Sequence, residues 1–299
     1  MKKHILGVVL LAAITTLGNA QDFESRFFEY LQAGDSAEMH TLLNQWEGTH
    51  PTDPELSVAW FNFYFWNAPE EVLQLMTGED PTGQGLSFAD STGKHVGYIT
   101  SSMAYNPEMV QLGLQKIDEG IERYPKRLDM RFGKIHVLHE IGAWDLYTEE
   151  ILKTIQYSVS IEHAWTWTHG EPTPGNQAYF LGNIQDYQYR LFNTGDDSLL
   201  PNMRTIGEQV LAFYPDDVPS LSNVAISYML EGDFDRSIEV FMRAYEIDPS
   251  DAVVINNIAH AYKLKGSKKK SIKYYKKLIA VGSEEDIAWA NEQIAELEQ

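Results

Sequence analysis

The stretch VPSLSNVAISYMLEGDFDRSIEVFMRAYEIDPSD at 218–251 is followed without a gap by AVVINNIAHAYKLKGSKKKSIKYYKKLIAVGSEE at 252–285, and the two align residue for residue at a spacing of 34. Leu221 falls on Ile255, Val224 on Ile258, Ala225 on Ala259, Tyr228 on Tyr262 and Gly232 on Gly266. In the second halves Ser237 falls on Ser271, Phe241 on Tyr275 and Ala244 on Leu278, while Pro249 closes the first unit where Ser283 closes the second. Each assignment has a physical cause. Ala225 and Ala259 permit close approach of two helices, Gly232 and Gly266 accept the positive φ of a tight turn, and Pro249 stops a helix.

These residues resemble the tetratricopeptide repeat family, which implies an all-α fold, an α-solenoid of helical hairpins. Carried backward, the same frame finds looser copies. Gly34 to Pro51 repeats the interval from Gly232 to Pro249, with Tyr30 and Leu43 in the Tyr228 and Phe241 places and Tyr64 a further 34 residues on. Pro125 predicts a unit starting near Leu128 with Gly142 at its turn, and Tyr179 to Pro215 fits with three extra residues after Gly195. The expectation is about six hairpins, degenerate over 21–217 and regular over 218–285. A C-terminal helix that begins at Glu284 and fills 286–299 caps the last hairpin.

Two stretches interrupt the repeat. Over 77–106, Leu86, Phe88, Val96 and Tyr98 alternate around Ser91-Thr92-Gly93-Lys94, which predicts a small β-hairpin. Over 163–177, Trp165, Trp167, His169, Gly170, Glu171, Pro172, Pro174 and Gly175 predict an ordered loop.

Residues 1–20 have the parts of a secretory signal: Lys2 and Lys3, an apolar run from Ile5 to Leu17, and small Gly18 and Ala20 around Asn19, with cleavage expected after Ala20. That leader places the protein in the periplasm or outside the cell. The run is too short to span a bilayer, and nothing downstream approaches the roughly 20 apolar residues of a transmembrane helix. The chain has no cysteine, which speaks against a lipid anchor at the cleavage site and against a disulfide framework. A net charge of −20, made more negative by loss of Lys2 and Lys3, opposes general nucleic-acid binding.

Asn223 and Asn257 occupy the same place in consecutive units. In the resemblance they face a concave groove, where side-chain amides can pair with the backbone of an extended peptide because an amide both donates and accepts. Ser222, Ile226, Asn256, His260 and Lys263 are the neighbouring groove positions, and the resemblance implies a protein or peptide partner. Ser222 with Asn256 departs from the basic clamp that some such repeats use for a terminal carboxylate. A second reading takes Trp165, Trp167 and His169 as an aromatic pocket for a small ligand or sugar with Glu171 as its polar anchor; the same aromatics also read as a local core.

Lysines 263, 265, 268, 269, 270, 273, 276 and 277 form a basic run in an acidic chain, either a solvated outer face or a docking surface for an anionic partner. His136, His139 and Glu140 share a helix face, but the second histidine of a His-Glu-x-x-His site is missing, and no metal or other cofactor is expected. No Gly-x-Ser-x-Gly elbow, phosphate-cradling glycine loop or cysteine nucleophile is present. The reading is a non-enzymatic interaction scaffold.

Overall fold

The computed structural model describes residues 20–79, 83, 85–174 and 177–299, so the expected leader lies outside the described residues except for Ala20. Small parts of both interruptions, at 80–82, 84 and 175–176, do so as well. The chain divides into two compact units, Met1–Pro125 and Lys126–Gln299.

The first unit holds α1 (Ala20–Ala33), α2 (Ser36–Thr49), α3 (Pro54–Trp66) and α4 (Pro107–Arg123). Helix α1 packs on α2, and α3 on α4. Phe27, Met39, Leu43 and Trp46 are almost fully buried where these helices meet. Each contributes about 1.5–3 kcal/mol of apolar burial. The Trp46 indole donates to Asp53 at 3.0 Å, and the same carboxylate caps α3 through the Glu55 N–H, so one side chain fixes both the core and a helix start.

A sheet of β1 (Pro69–Thr77), β2 (Leu86–Ala89) and β3 (His95–Tyr105) interrupts the second hairpin between α3 and α4, in the order β1-β3-β2. The expected β-hairpin is β2 with β3: Leu86 lies opposite Ile99 and Phe88 opposite Gly97. Asp90 tightens its turn by accepting from the N–H groups of Thr92 and Lys94. The insertion is larger than the sequence suggested. It begins at Pro69 rather than Thr77, because β1 pairs along its whole length with β3. Strand β1 escaped notice because it is exposed on both faces, so no alternation between core and solvent is written into it.

The second unit holds α5 (Leu128–Glu140), α6 (Trp144–Ser160), α7 (Gln177–Asn193), α8 (Leu200–Phe213), α9 (Val218–Leu230), α10 (Phe234–Ile247), α11 (Ala252–Leu264), α12 (Lys268–Val281) and α13 (Glu284–Glu298). Consecutive helices pair as α5 with α6, α7 with α8, α9 with α10 and α11 with α12, and α13 lies on α12. With the first unit this makes six hairpins and a capping helix among the described residues, the class the repeat frame implied.

One turn recurs. Gly232 and Gly266 have φ of 84° and 76°, and the next residue's N–H reaches back to Tyr228 and Tyr262 at 2.9 and 2.8 Å. Two of the loose copies close identically: Asp35 N–H bonds the Tyr30 carbonyl past Gly34, and Ala143 N–H bonds Leu138 past Gly142, each at 2.9 Å. Asp217, Asp233 and Asp251 then cap α9, α10 and α11 through side-chain oxygens. Beneath the turns Ala225, Phe241, Ala244, Ile258, Ala259, Tyr275 and Leu278 are fully buried, the crossing and wedge positions of the two regular units.

Candidate protein-binding site

Helices α9 and α11 touch, and they carry the six residues that the sequence assigned to the partner. All six are half-buried. The structure does not treat the two asparagines alike. Asn223 donates its amide to the Gln188 side-chain oxygen at 3.0 Å, and Gln188, itself buried on α7, donates to the Met203 carbonyl of α8 at 3.0 Å. Asn223 is thus tied into the joint between hairpins, where it holds α9 to α7.

The Asn257 side chain makes no hydrogen bond among the described residues, and the reason lies one hairpin back. Counted from the turn glycines Gly195 and Gly232, the residue in Gln188's place is Ala225, which has no polar group to offer. Beside Asn257, the Asn256 side-chain oxygen is buried and accepts no hydrogen bond among the described residues. Leaving such an acceptor unmet costs about 1–3 kcal/mol. Helix α11 therefore carries two adjacent amides without a side-chain hydrogen bond among the described residues, of which the Asn256 oxygen is shut in and Asn257 is half-buried.

Lys263 is not available as a free cation. Its ammonium meets Glu296 at 2.7 Å and Gln293 at 2.8 Å, both on α13, so the capping helix neutralises that end of the site. Nothing in the repeat frame marks Gln293 and Glu296 as partners, since they lie beyond the repeats. His260, between Asn257 and Lys263, is held below the ordinary histidine pKa first by burial and then by the Lys263 charge, which keeps it neutral at pH 7.

The aromatic loop serves packing. Trp165 is buried, stacks on Phe180, lies beside Tyr157 and donates its indole N–H to Ser158 at 2.8 Å. Trp167 sets its ring edge-on to Phe132 and keeps about a third of its surface, 37%, exposed. His169 and Glu171 are exposed, with His169 in a left-handed turn at φ 59°. Trp165 thus serves as a local core and offers no face to a ligand, while Trp167, His169 and Glu171 keep exposed surface.

The lysine run is split by its surroundings. Lys265 pairs with Asp235, and Lys277 reaches the Tyr245 hydroxyl at 2.6 Å. Lys270 stands 5.2 Å from the Tyr262 ring centroid as Arg236 stands 5.7 Å from Tyr228, a cation over the same aromatic in both repeats. Lys268, Lys269 and Lys276 are exposed and form no ion pair among the described residues. Glu140 lies against both His139 and His136, at 3.3 and 4.0 Å, but no group of three metal-ligating side chains occurs among the described residues. Among the described residues no helix is long and apolar enough to cross a membrane.

The tetratricopeptide repeat model matches residues 218–251 and 252–281. No curated protein matches the chain. Similar solved structures include the C-terminal part of a TPR repeat-containing protein from Cytophaga hutchinsonii, 13% identical over 92% of this chain and 87% of that one, TM-score 0.45. Another is a tetratricopeptide repeat protein from Parabacteroides merdae, 11% identical over 92% and 85%, TM-score 0.36. A third is YrrB, described as a TPR protein with an unusual peptide-binding site, 14% identical over 62% and 84%, TM-score 0.39. At TM-scores below 0.5 none of these likenesses bears on partner or site. Proteins of this repeat class bind protein or peptide partners and are in general non-enzymatic scaffolds. Residues 218–251 and 252–281 are thus two tetratricopeptide repeats in register.

Proposed function

We propose that this protein is a non-enzymatic scaffold acting outside the cytoplasm, and that the α9–α11 face holds an extended peptide of a partner protein. The observation that carries the reading is the half-buried Asn257 amide on α11, which makes no side-chain hydrogen bond among the described residues, whereas its counterpart Asn223 is bonded to Gln188. A peptide backbone can both donate to the Asn257 amide and accept from it, with little dependence on its own side chains. Asn223 belongs to the scaffold in this reading and Asn257 to the partner. The leader at 1–20 supports export.

The test is affinity purification of partners from the native cell-envelope fraction, repeated with an Asn256→Ala, Asn257→Ala double variant. The expected result is retention of fold and loss of a specific partner, about tenfold or more in affinity once that partner is purified. Full affinity in a folded double variant removes the α11 face from the function. Recovery of the wild-type protein in the cytoplasmic fraction overturns the proposed location.

A further inference from the structure

The sheet presents an unusual surface. Leu73, Leu75, Leu86, Ile99 and Met103 are exposed at 77%, 71%, 76%, 38% and 68%. The register places them on one face: Leu75, Ile99 and Leu86 form a row across all three strands, Leu73 continues it two residues on, and Met103, opposite Glu71, four residues on. Strand β1 is also an edge, paired with β3 on one side only. The Asn106 N–H bonds the Ala68 carbonyl at 2.7 Å, which sets the phase of the antiparallel ladder. Carried along the register, it turns the backbone groups of Glu70, Val72, Gln74 and Met76 toward β3 and those of Glu71, Leu73, Leu75 and Thr77 outward. Pro69, without an N–H, falls at an outward position, as an edge strand allows.

A nine-residue edge with no interior proline, lysine or bulge is left unprotected. The area decides what covers it. Nine residues at about 3.3 Å each and three strands at about 4.8 Å spacing give a face of roughly 300–400 Å². A stable dimer buries about 800 Å² per partner, so a second copy packed face to face gains about half of what it needs. An extended segment does better, because it adds main-chain hydrogen bonds at the edge to apolar contact on the face.

We infer that β1 is a strand-addition site for an extended peptide of a partner protein. That peptide alternates apolar side chains over Leu73 and Leu75 and carries a lysine or arginine opposite Glu71. The site is separate from α11 and stands whether or not the asparagine reading does.

The probe is a fluorescent peptide of about eight residues that alternates threonine and valine and ends in two lysines, titrated against the full chain and followed by anisotropy and amide hydrogen exchange. The expected result is saturable binding with slowed exchange at Glu71, Leu73, Leu75 and Thr77. Leu73→Pro removes an outward N–H while leaving the bonds to β3, and weakens binding tenfold or more at unchanged circular dichroism. A Leu73→Lys, Leu75→Lys double variant, at exposed positions, keeps every N–H and also weakens binding, through lost apolar contact and added charge. Replacing the two lysines of the peptide by glutamates has the same direction. Three results overturn the inference: no saturable binding, equal binding by both variants, or a dimer of the free protein in sedimentation that Leu73→Pro dissolves, since the edge then belongs to a second copy.

Discussion

Ser271 donates its hydroxyl to the Ala259 carbonyl at 2.9 Å across the last regular hairpin, while the hydroxyl of Ser237, its counterpart 34 residues earlier and equally buried, has no partner among the described residues. The same residue at the same repeat position therefore stabilises one hairpin and burdens the other. Ser271→Ala loses a net hydrogen bond and is expected to cost about 1 kcal/mol. Ser237→Ala removes a buried hydroxyl that has no partner and is expected to be neutral or to stabilise by up to about 1 kcal/mol. Urea midpoints at constant slope separate the two signs.

Gly207 and Gln188 share one space. Counted from the turns, they stand where Ala244 and Ala225 stand in the next hairpin, so a large residue on α7 is matched by none on α8. A Cβ on Gly207 would lie 2.7 Å from Val224 and 3.0 Å from the Gln188 amide. Gly207→Ala is expected to destabilise by about 1–3 kcal/mol through overpacking. In a double-mutant cycle with Gln188→Ala the two losses should be less than additive by more than about 0.5 kcal/mol, and strict additivity would show that the side chains do not compete.

His163 holds the aromatic loop by its ring, with Nδ1 2.8 Å from the Ser158 hydroxyl oxygen and Nε2 2.9 Å from that of Tyr214. Burial lowers its pKa below the ordinary 6.5. The neutral ring is the one the fold favours, so its contribution is complete above pH 6.5 and is lost as the pH falls through the folded-state pKa. The melting temperature should drop between about pH 7 and pH 5. His163→Asn tolerates the left-handed backbone at φ 60° and removes the titration, so its melting curve should be flatter over that window; an identical slope would assign the acid sensitivity elsewhere.

Much of the fold was legible because its signals are local. A glycine with positive φ, an aspartate at a helix start and small residues at a crossing act within a few positions of the chain, so Gly34 and Gly142 located hairpins in copies with little other resemblance. The hairpin of β2 and β3 was legible for the same reason, through Asp90 and Gly93. Strand β1 was not, because an exposed edge carries no burial period.

The candidate site was legible as a place and not as a set of side-chain environments. The repeat register alone put Asn223, Asn257, Asn256 and Lys263 on α9 and α11, since a helix's period follows from its own residues. Whether an amide is free depends on what stands across from it. Asn223 is consumed because Gln188 reaches it from α7, Asn257 is spared because Ala225 cannot, and Lys263 is neutralised by Glu296 from α13. Those partners lie about thirty residues away along the chain, outside the range of any local pattern, and packing alone brings them within a hydrogen bond.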